Sequence, residues 1–138
     1  MSRKLNNLKK LPESELQIMQ IIWDMTADET LDSSHVTASE MFVRYPERIG
    51  HLKLTTVLTL ITRLVAKGYI RSEKKGRAYN YVPIVDEMEY KQLAAADFIS
   101  TVYRDNTMSL ISALWNDGRL TGEDIQEIKR MIEGQEKT

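Results

Sequence analysis

Apolar side chains recur every three or four residues along most of this chain, and the period shortens in one segment near its middle. Leu16, Met19, Ile22 and Trp23 share a face behind Pro12-Glu13-Ser14-Glu15, whose carboxylates suit the positive end of a helix dipole, so a first helix is expected there. A polar stretch from Thr26 to His35 interrupts the pattern. Thr37 and Glu40 then form a capping-box pattern ahead of a short second helix over residues 38–44. Pro46 and Gly50 mark a loop. A third helix follows from Lys53 or Leu54 to Lys67 and closes at Gly68, where a left-handed residue is wanted.

Beyond Gly68 the pattern changes. Residues 69–74 and 78–82 read as two short strands joined through Lys75-Gly76-Arg77, a glycine-containing hairpin tip. Three helices and a hairpin in this order make a winged helix-turn-helix. Pro83 and Asp86-Glu87 end the hairpin, and helical spacing resumes from Met88 to about residue 105. Further helices are expected near residues 109–116 and 121–133, the last opened by Thr121-Gly122-Glu123-Asp124 and stopped by Gly134, with a frayed tail over 135–138. The chain is therefore mostly α with a small β-hairpin. Its expected division is a winged helix over 1–84 and a helical domain over 85–138.

The third helix has two unlike faces. Val57, Leu60, Ile61 and Leu64 form an apolar stripe, while Thr55, Thr59, Thr62, Arg63 and Ala66 lie on or near the opposite side. Threonine is a poor helix former, so four threonines at 55, 56, 59 and 62 cost local stability. Close approach to DNA would account for them: threonine hydroxyls bond bases or phosphates, threonine methyls and Leu58 suit a thymine methyl, and Arg63 suits a phosphate or a guanine. An ordinary solvated face, with Thr55 as a cap, is the other reading. Lys53 at the helix start and Lys74, Lys75 and Arg77 at the hairpin tip add positive charge on three elements, which favours a duplex backbone over plain solvation.

Charge is divided along the chain. Residues 1–82 carry 13 Lys and Arg against 9 Asp and Glu, a balance of +4, whereas residues 83–138 carry 6 against 11, a balance of −5. The first part attracts phosphates and the second repels them. With no cysteine and no paired-ligand spacing around His35 and His51, neither a disulfide nor a metal site is expected, and both histidines read as loop residues. No glycine-rich phosphate loop or nucleophile–base pair is present either, so no cofactor and no enzyme activity are expected. The basic start Met1-Ser2-Arg3-Lys4 continues into polar residues rather than an apolar stretch, and no run suits a bilayer span, so a cytoplasmic protein without membrane insertion is expected.

The C-terminal half is rich in apolar residues that lack an evident closed core. Tyr90, Leu93, Ala94, Phe98 and Val102 keep helical spacing, and Leu110, Ile111, Leu114, Trp115, Ile125, Ile128, Met131 and Ile132 extend the supply. Pairing with a second copy would bury them, and folding back onto the winged helix is the alternative. The candidate dimerisation residues are Tyr90, Leu93, Phe98, Val102, Leu110, Leu114, Trp115, Ile125, Ile128 and Ile132.

The run Thr56-Val57-Leu58-Thr59-Leu60-Ile61-Thr62-Arg63-Leu64, followed by Lys67-Gly68-Tyr69-Ile70, resembles the signature of the penicillinase repressor family, also called BlaI/MecI/CopY. Glu15-Leu16 with Met19 and Ile22-Trp23 is similar to the family's first helix, and Phe98-Ile99 through Val102-Tyr103 to its dimerisation arm. The resemblance implies a homodimeric repressor bound to a dyad operator in double-stranded DNA, with Thr56, Thr59 and Arg63 among the DNA contacts and Thr55 and Leu58 beside them. It also implies a sensor-linked protease as a candidate partner. The resistance repressors are cut at an Asn-Phe bond, and the aligned bond here is Asp97-Phe98. Leu52 and Leu58 depart from the family's usual aromatic and basic or polar residues, which implies a different operator sequence. The copper-responsive branch carries cysteine pairs, and this chain has none. A winged-helix module that binds protein instead of DNA is the competing reading.

Overall fold

The computed structural model describes residues 8–136; the basic start Met1–Lys4 and the last two residues of the tail lie outside them. Helix α1 spans Glu13–Ala27, a 3-10 turn Ser33–His35, α2 Ala38–Arg44, the one-turn α3 Pro46–Ile49 and α4 Leu54–Ala66. Strands β1 (Ile70–Lys75) and β2 (Ala78–Pro83) follow, then α5 (Glu87–Thr101), α6 (Thr107–Asn116) and α7 (Gly122–Glu136). The first seven of these elements, up to β2, build a winged helix, with α1, α2 and α4 around the core and the antiparallel hairpin as the wing.

The apolar stripe of α4 is the centre of that core. Val57, Leu60, Ile61 and Leu64 are its buried residues, as their spacing requires. Helix α1 buries a wider face than four apolar positions indicate: Ile18, Met19, Ile21, Ile22, Trp23 and Met25 are all inside. Glu15, expected only to complement the helix dipole, is buried too, and Lys67 Nζ meets its Oε1 at 2.5 Å. This pair fastens the start of α1 to the end of α4. At that end Gly68 adopts φ +83°, which lets its N–H reach Val65 O and the Tyr69 N–H reach Leu64 O. Two carbonyls left over by the helix are thereby satisfied, and buried Tyr69 is turned inward against the core.

The hairpin pairs Ile70 with Pro83 through to Lys75 with Ala78, leaving a two-residue turn of Gly76 and Arg77. Gly76 supplies the positive φ of +64° that such a turn needs at its first position. Val36 extends the ladder by one residue: its carbonyl accepts from Tyr81 N, and its N–H donates to the side-chain oxygen of buried Asn80, both at 2.9 Å. The wing is thus held at its base as well as through β1.

Several boundaries differ from the sequence pattern for identifiable reasons. Pro46 opens a helical turn rather than a loop, since its fixed φ suits a first helical position. The Thr37 hydroxyl caps Glu40 N at 3.1 Å, but Glu40 turns to Arg44 at 3.1 Å instead of back to Thr37, so only half of the capping box forms. Around α7 both halves form, between Thr121 and Asp124. Gly134 does not stop α7, which runs on to Glu136; glycine weakens a helix interior without forbidding it.

The chain forms two compact units, Met1–Ala94 and Ala95–Thr138, with α5 beginning in the first and ending in the second. The first unit extends ten residues past the boundary drawn after residue 84, because Val85 and Tyr90 are buried in its core and Leu93 and Ala94 pack against it. Trp23 Nε1 donates to Val85 O at 2.9 Å, and the Tyr90 hydroxyl accepts from Leu11 N at 2.9 Å. The Tyr90 ring lies 5.8 Å from Trp23 and 5.9 Å from Tyr69. In the second unit no described residue is buried.

Candidate nucleic-acid interface

Helix α4 buries one face and leaves Leu54, Thr55, Thr56, Leu58, Thr59, Thr62 and Arg63 exposed. Its N-terminus has no side-chain cap: Lys53 is the capping residue, so Thr55 is not a cap and its hydroxyl is not committed in that way. Two other threonines are committed. Thr59 Oγ1 donates to Thr55 O and Thr62 Oγ1 to Leu58 O, both at 2.9 Å, which ties their protons to the helix and turns methyl groups and oxygen lone pairs outward.

The wing brings its charges beside this face. Lys74 stands opposite Tyr79 in the ladder with Nζ 6.0 Å from the centre of the ring. Tyr79, half exposed, lines a shallow depression of about 330 Å³ together with Leu54, Leu58, Arg77, Ala78 and the start of α2 at Thr37–Ser39. Helix α4 and the wing therefore share one surface. Leu54 and Tyr79 were not singled out in the sequence. The signal for Tyr79 was its register against Lys74, which becomes readable only once the turn is known to hold two residues.

Ion pairing sorts the cations of the first unit. Arg44 meets Asp28 at 3.5 Å, Arg48 meets Asp24 at 2.8 Å and Arg71 meets Glu73 at 3.1 Å. Lys53, Arg63, Lys74, Lys75 and Arg77 form no such bridge among the described residues, and all five are exposed. Asp32 feels the charge of Lys75. Hydrogen bonds from Ser34 hold its carboxyl below the usual carboxylate range, with His35 and Lys75 adding to the effect. His35 ends the 3-10 turn and His51 lies in the turn before α4, both exposed.

Comparison with known proteins bears on what this surface serves. The family model described as penicillinase repressor matches residues 11–134. This chain belongs to the penicillinase repressor family. The family is one of transcriptional repressors, proteins that bind DNA and are not enzymes. A penicillinase repressor of Bacillus licheniformis is 26% identical over 129 residues, covering 91% of this chain and 94% of the relative. The methicillin resistance regulatory protein MecI of Staphylococcus aureus (strain N315) is 24% identical over 127 residues, 92% of this chain and 96% of the relative. A penicillinase repressor of Staphylococcus aureus is 25% identical over 127 residues, with 92% and 94% covered.

Within this repressor the candidate dimerisation residues separate into two groups. Tyr90 and Leu93 do not belong with the rest: Tyr90 is 5% exposed inside the first unit, and Leu93 packs on the same core. Both keep helical spacing on α5, but the face they occupy is claimed by Trp23, Tyr69 and Leu11. By contrast, Phe98, Val102, Trp115 and Ile132 are exposed, and Leu110, Leu114, Ile125 and Ile128 are half-buried. Phe98 stacks edge-on against Tyr103 with ring centres 5.6 Å apart. The Asp97–Phe98 bond lies inside α5, where the helix would have to unwind before a protease could grip it. Among the described residues, no helix is long and apolar enough to cross a membrane.

Proposed function

We propose that this repressor acts as a cytoplasmic homodimer that binds a palindromic operator in double-stranded DNA, reading bases with α4 and holding the backbone with Lys53 and the basic wing. The reading is carried by one observation: the face of α4 that is free of the core carries threonines and Arg63 with no carboxylate, and it shares its surface with cations that form no ion pair among the described residues. A helix held this way by a winged helix is suited to the major groove, and phosphate attraction supplies the sequence-independent part of the affinity. The first unit is the DNA-binding domain and the second the dimerisation domain. Supporting that division, the second unit leaves Trp115, Met131 and Ile132 more than half exposed and buries no described residue by itself, so a second copy is the economical cover. Induction by cleavage at Asp97–Phe98 would cut that domain from the first.

Selection of bound duplexes from a random pool at moderate salt tests the reading. Enrichment of a palindrome whose half-sites lie about one helical turn, or a multiple of it, apart is the expected result. A folded protein that enriches nothing would instead be a winged-helix module for protein partners. Sedimentation at micromolar concentration supplies the companion test, with a dimer expected and a monomer contradicting the role given to the second unit.

A further inference from the structure

Base readout by amides, carboxylates or arginine needs long polar side chains near the N-terminal end of a recognition helix. Helix α4 has none there. Its sequence Leu54-Thr55-Thr56-Val57-Leu58-Thr59 contains no Asn, Gln, Asp, Glu or Arg, and Arg63 stands nine residues beyond Leu54, about 13 Å further along the axis. Beside the short hydroxyls of Thr55 and Thr56, what this end offers is apolar. Leu54 is 48% and Leu58 39% exposed; one turn apart on the same face, they line the depression shared with Tyr79. The Thr59 hydroxyl proton is spent within the helix, which leaves its methyl outward beside an oxygen that can only accept.

Two leucines on a surface ringed by Lys53, Lys74 and Arg77 need an apolar partner that also carries negative charge. Within the major groove only one base presents an apolar group, the 5-methyl of thymine. Resting on the proposal that α4 enters DNA, we propose that each operator half-site is recognised through thymine 5-methyl groups seated against Leu54 and Leu58, making these two residues specificity determinants of this repressor. Lys53, Arg63, Lys74, Lys75 and Arg77 then hold the duplex while the leucines choose among its bases.

The test replaces each thymine of the selected duplex, one at a time, by deoxyuridine, which keeps base pairing and removes only the methyl. Full-length protein is titrated against each duplex by fluorescence anisotropy. At one or two positions per half-site affinity should fall about fourfold, the loss expected for one buried methyl group. With Leu58→Ala or Leu54→Ala the same thymine and uracil duplexes should bind alike at the position each residue serves. Both side chains are exposed, so neither truncation opens the core, and the deoxyuridine scan on the unaltered protein stands without any variant. If every uracil duplex binds as tightly as its thymine parent, or if the leucine variants remain equally sensitive to the methyl, the proposal is overturned while sequence-specific DNA binding stands. Absence of any selected duplex overturns it together with the operator reading beneath it.

Discussion

Neutralising the wing should change the salt dependence of operator binding more than any other property. The perturbation is Lys74→Gln, Lys75→Gln and Arg77→Gln together, three exposed side chains around a two-residue turn whose Gly76 is kept. In a dimer the variant removes about six positive charges, and each neutralised phosphate contributes about 0.9 to the slope of log affinity against log salt. The ceiling is therefore a slope shallower by about 5, and about 4 corresponds to four or five of these contacts. Between 50 and 200 mM salt, a difference of 4 shrinks the affinity gap between parent and variant by about 250-fold. Anisotropy titrations on the selected operator at four salt concentrations measure it, with thermal melting to verify an unchanged fold. Parallel lines for parent and variant would show that the wing does not touch phosphate, and the placement of the duplex across α4 and the hairpin would then be wrong.

Three further outcomes follow from the packing described above. Tyr90→Phe strips the buried Leu11 N–H of its acceptor and should cost about 1–2 kcal/mol in urea denaturation without weakening dimerisation, whereas a shift in the sedimentation equilibrium would return Tyr90 to the dimer face. Alkaline unfolding should depend on Tyr69, whose hydroxyl donates to Lys9 O and is pushed up to about 12 by burial, with the nearby Tyr90 and Glu15 adding to it. The folded state keeps this proton where the unfolded chain releases it, so the contribution is intact below about pH 10 and is lost as pH rises towards about 12; a pH–stability curve for Tyr69→Phe that keeps the parent's slope in this window would refute it. Arg104 and Asp105 are consecutive non-glycine residues at φ +51° and +67°, and Arg104→Gly should raise stability by about 1 kcal/mol, a lower melting temperature speaking against the strain.

Much of the candidate site was readable in the chain because it is local. The faces of α4 follow from a period of 3.6 residues, and Val57, Leu60, Ile61 and Leu64 fall inside with Thr55, Thr59 and Arg63 outside as that period demands. The hairpin tip was equally plain, since glycine between cations marks a turn whatever surrounds it. Leu54 and Tyr79 escaped because their meaning lies in adjacency: an exposed leucine at a helix start and a tyrosine in a strand are unremarkable until the fold sets them around one depression.

The sequence by itself determined the order of elements, the core stripe of α4, the basic wing and the surplus of apolar surface near the C-terminus. Each depends on neighbours a few residues apart, where backbone geometry alone fixes which side chains share a face. Only the tertiary structure decided where the first unit ends, which of two equally periodic apolar positions in α5 face inward, and what becomes of a carboxylate such as Glu15. Tyr90 and Phe98 both sit on α5 at helical spacing, and nothing local distinguishes them. One is buried because Trp23, Tyr69 and the Leu11 amide converge on it from 67, 21 and 79 residues away, and the other is 41% exposed with Tyr103, five residues on, as its ring contact.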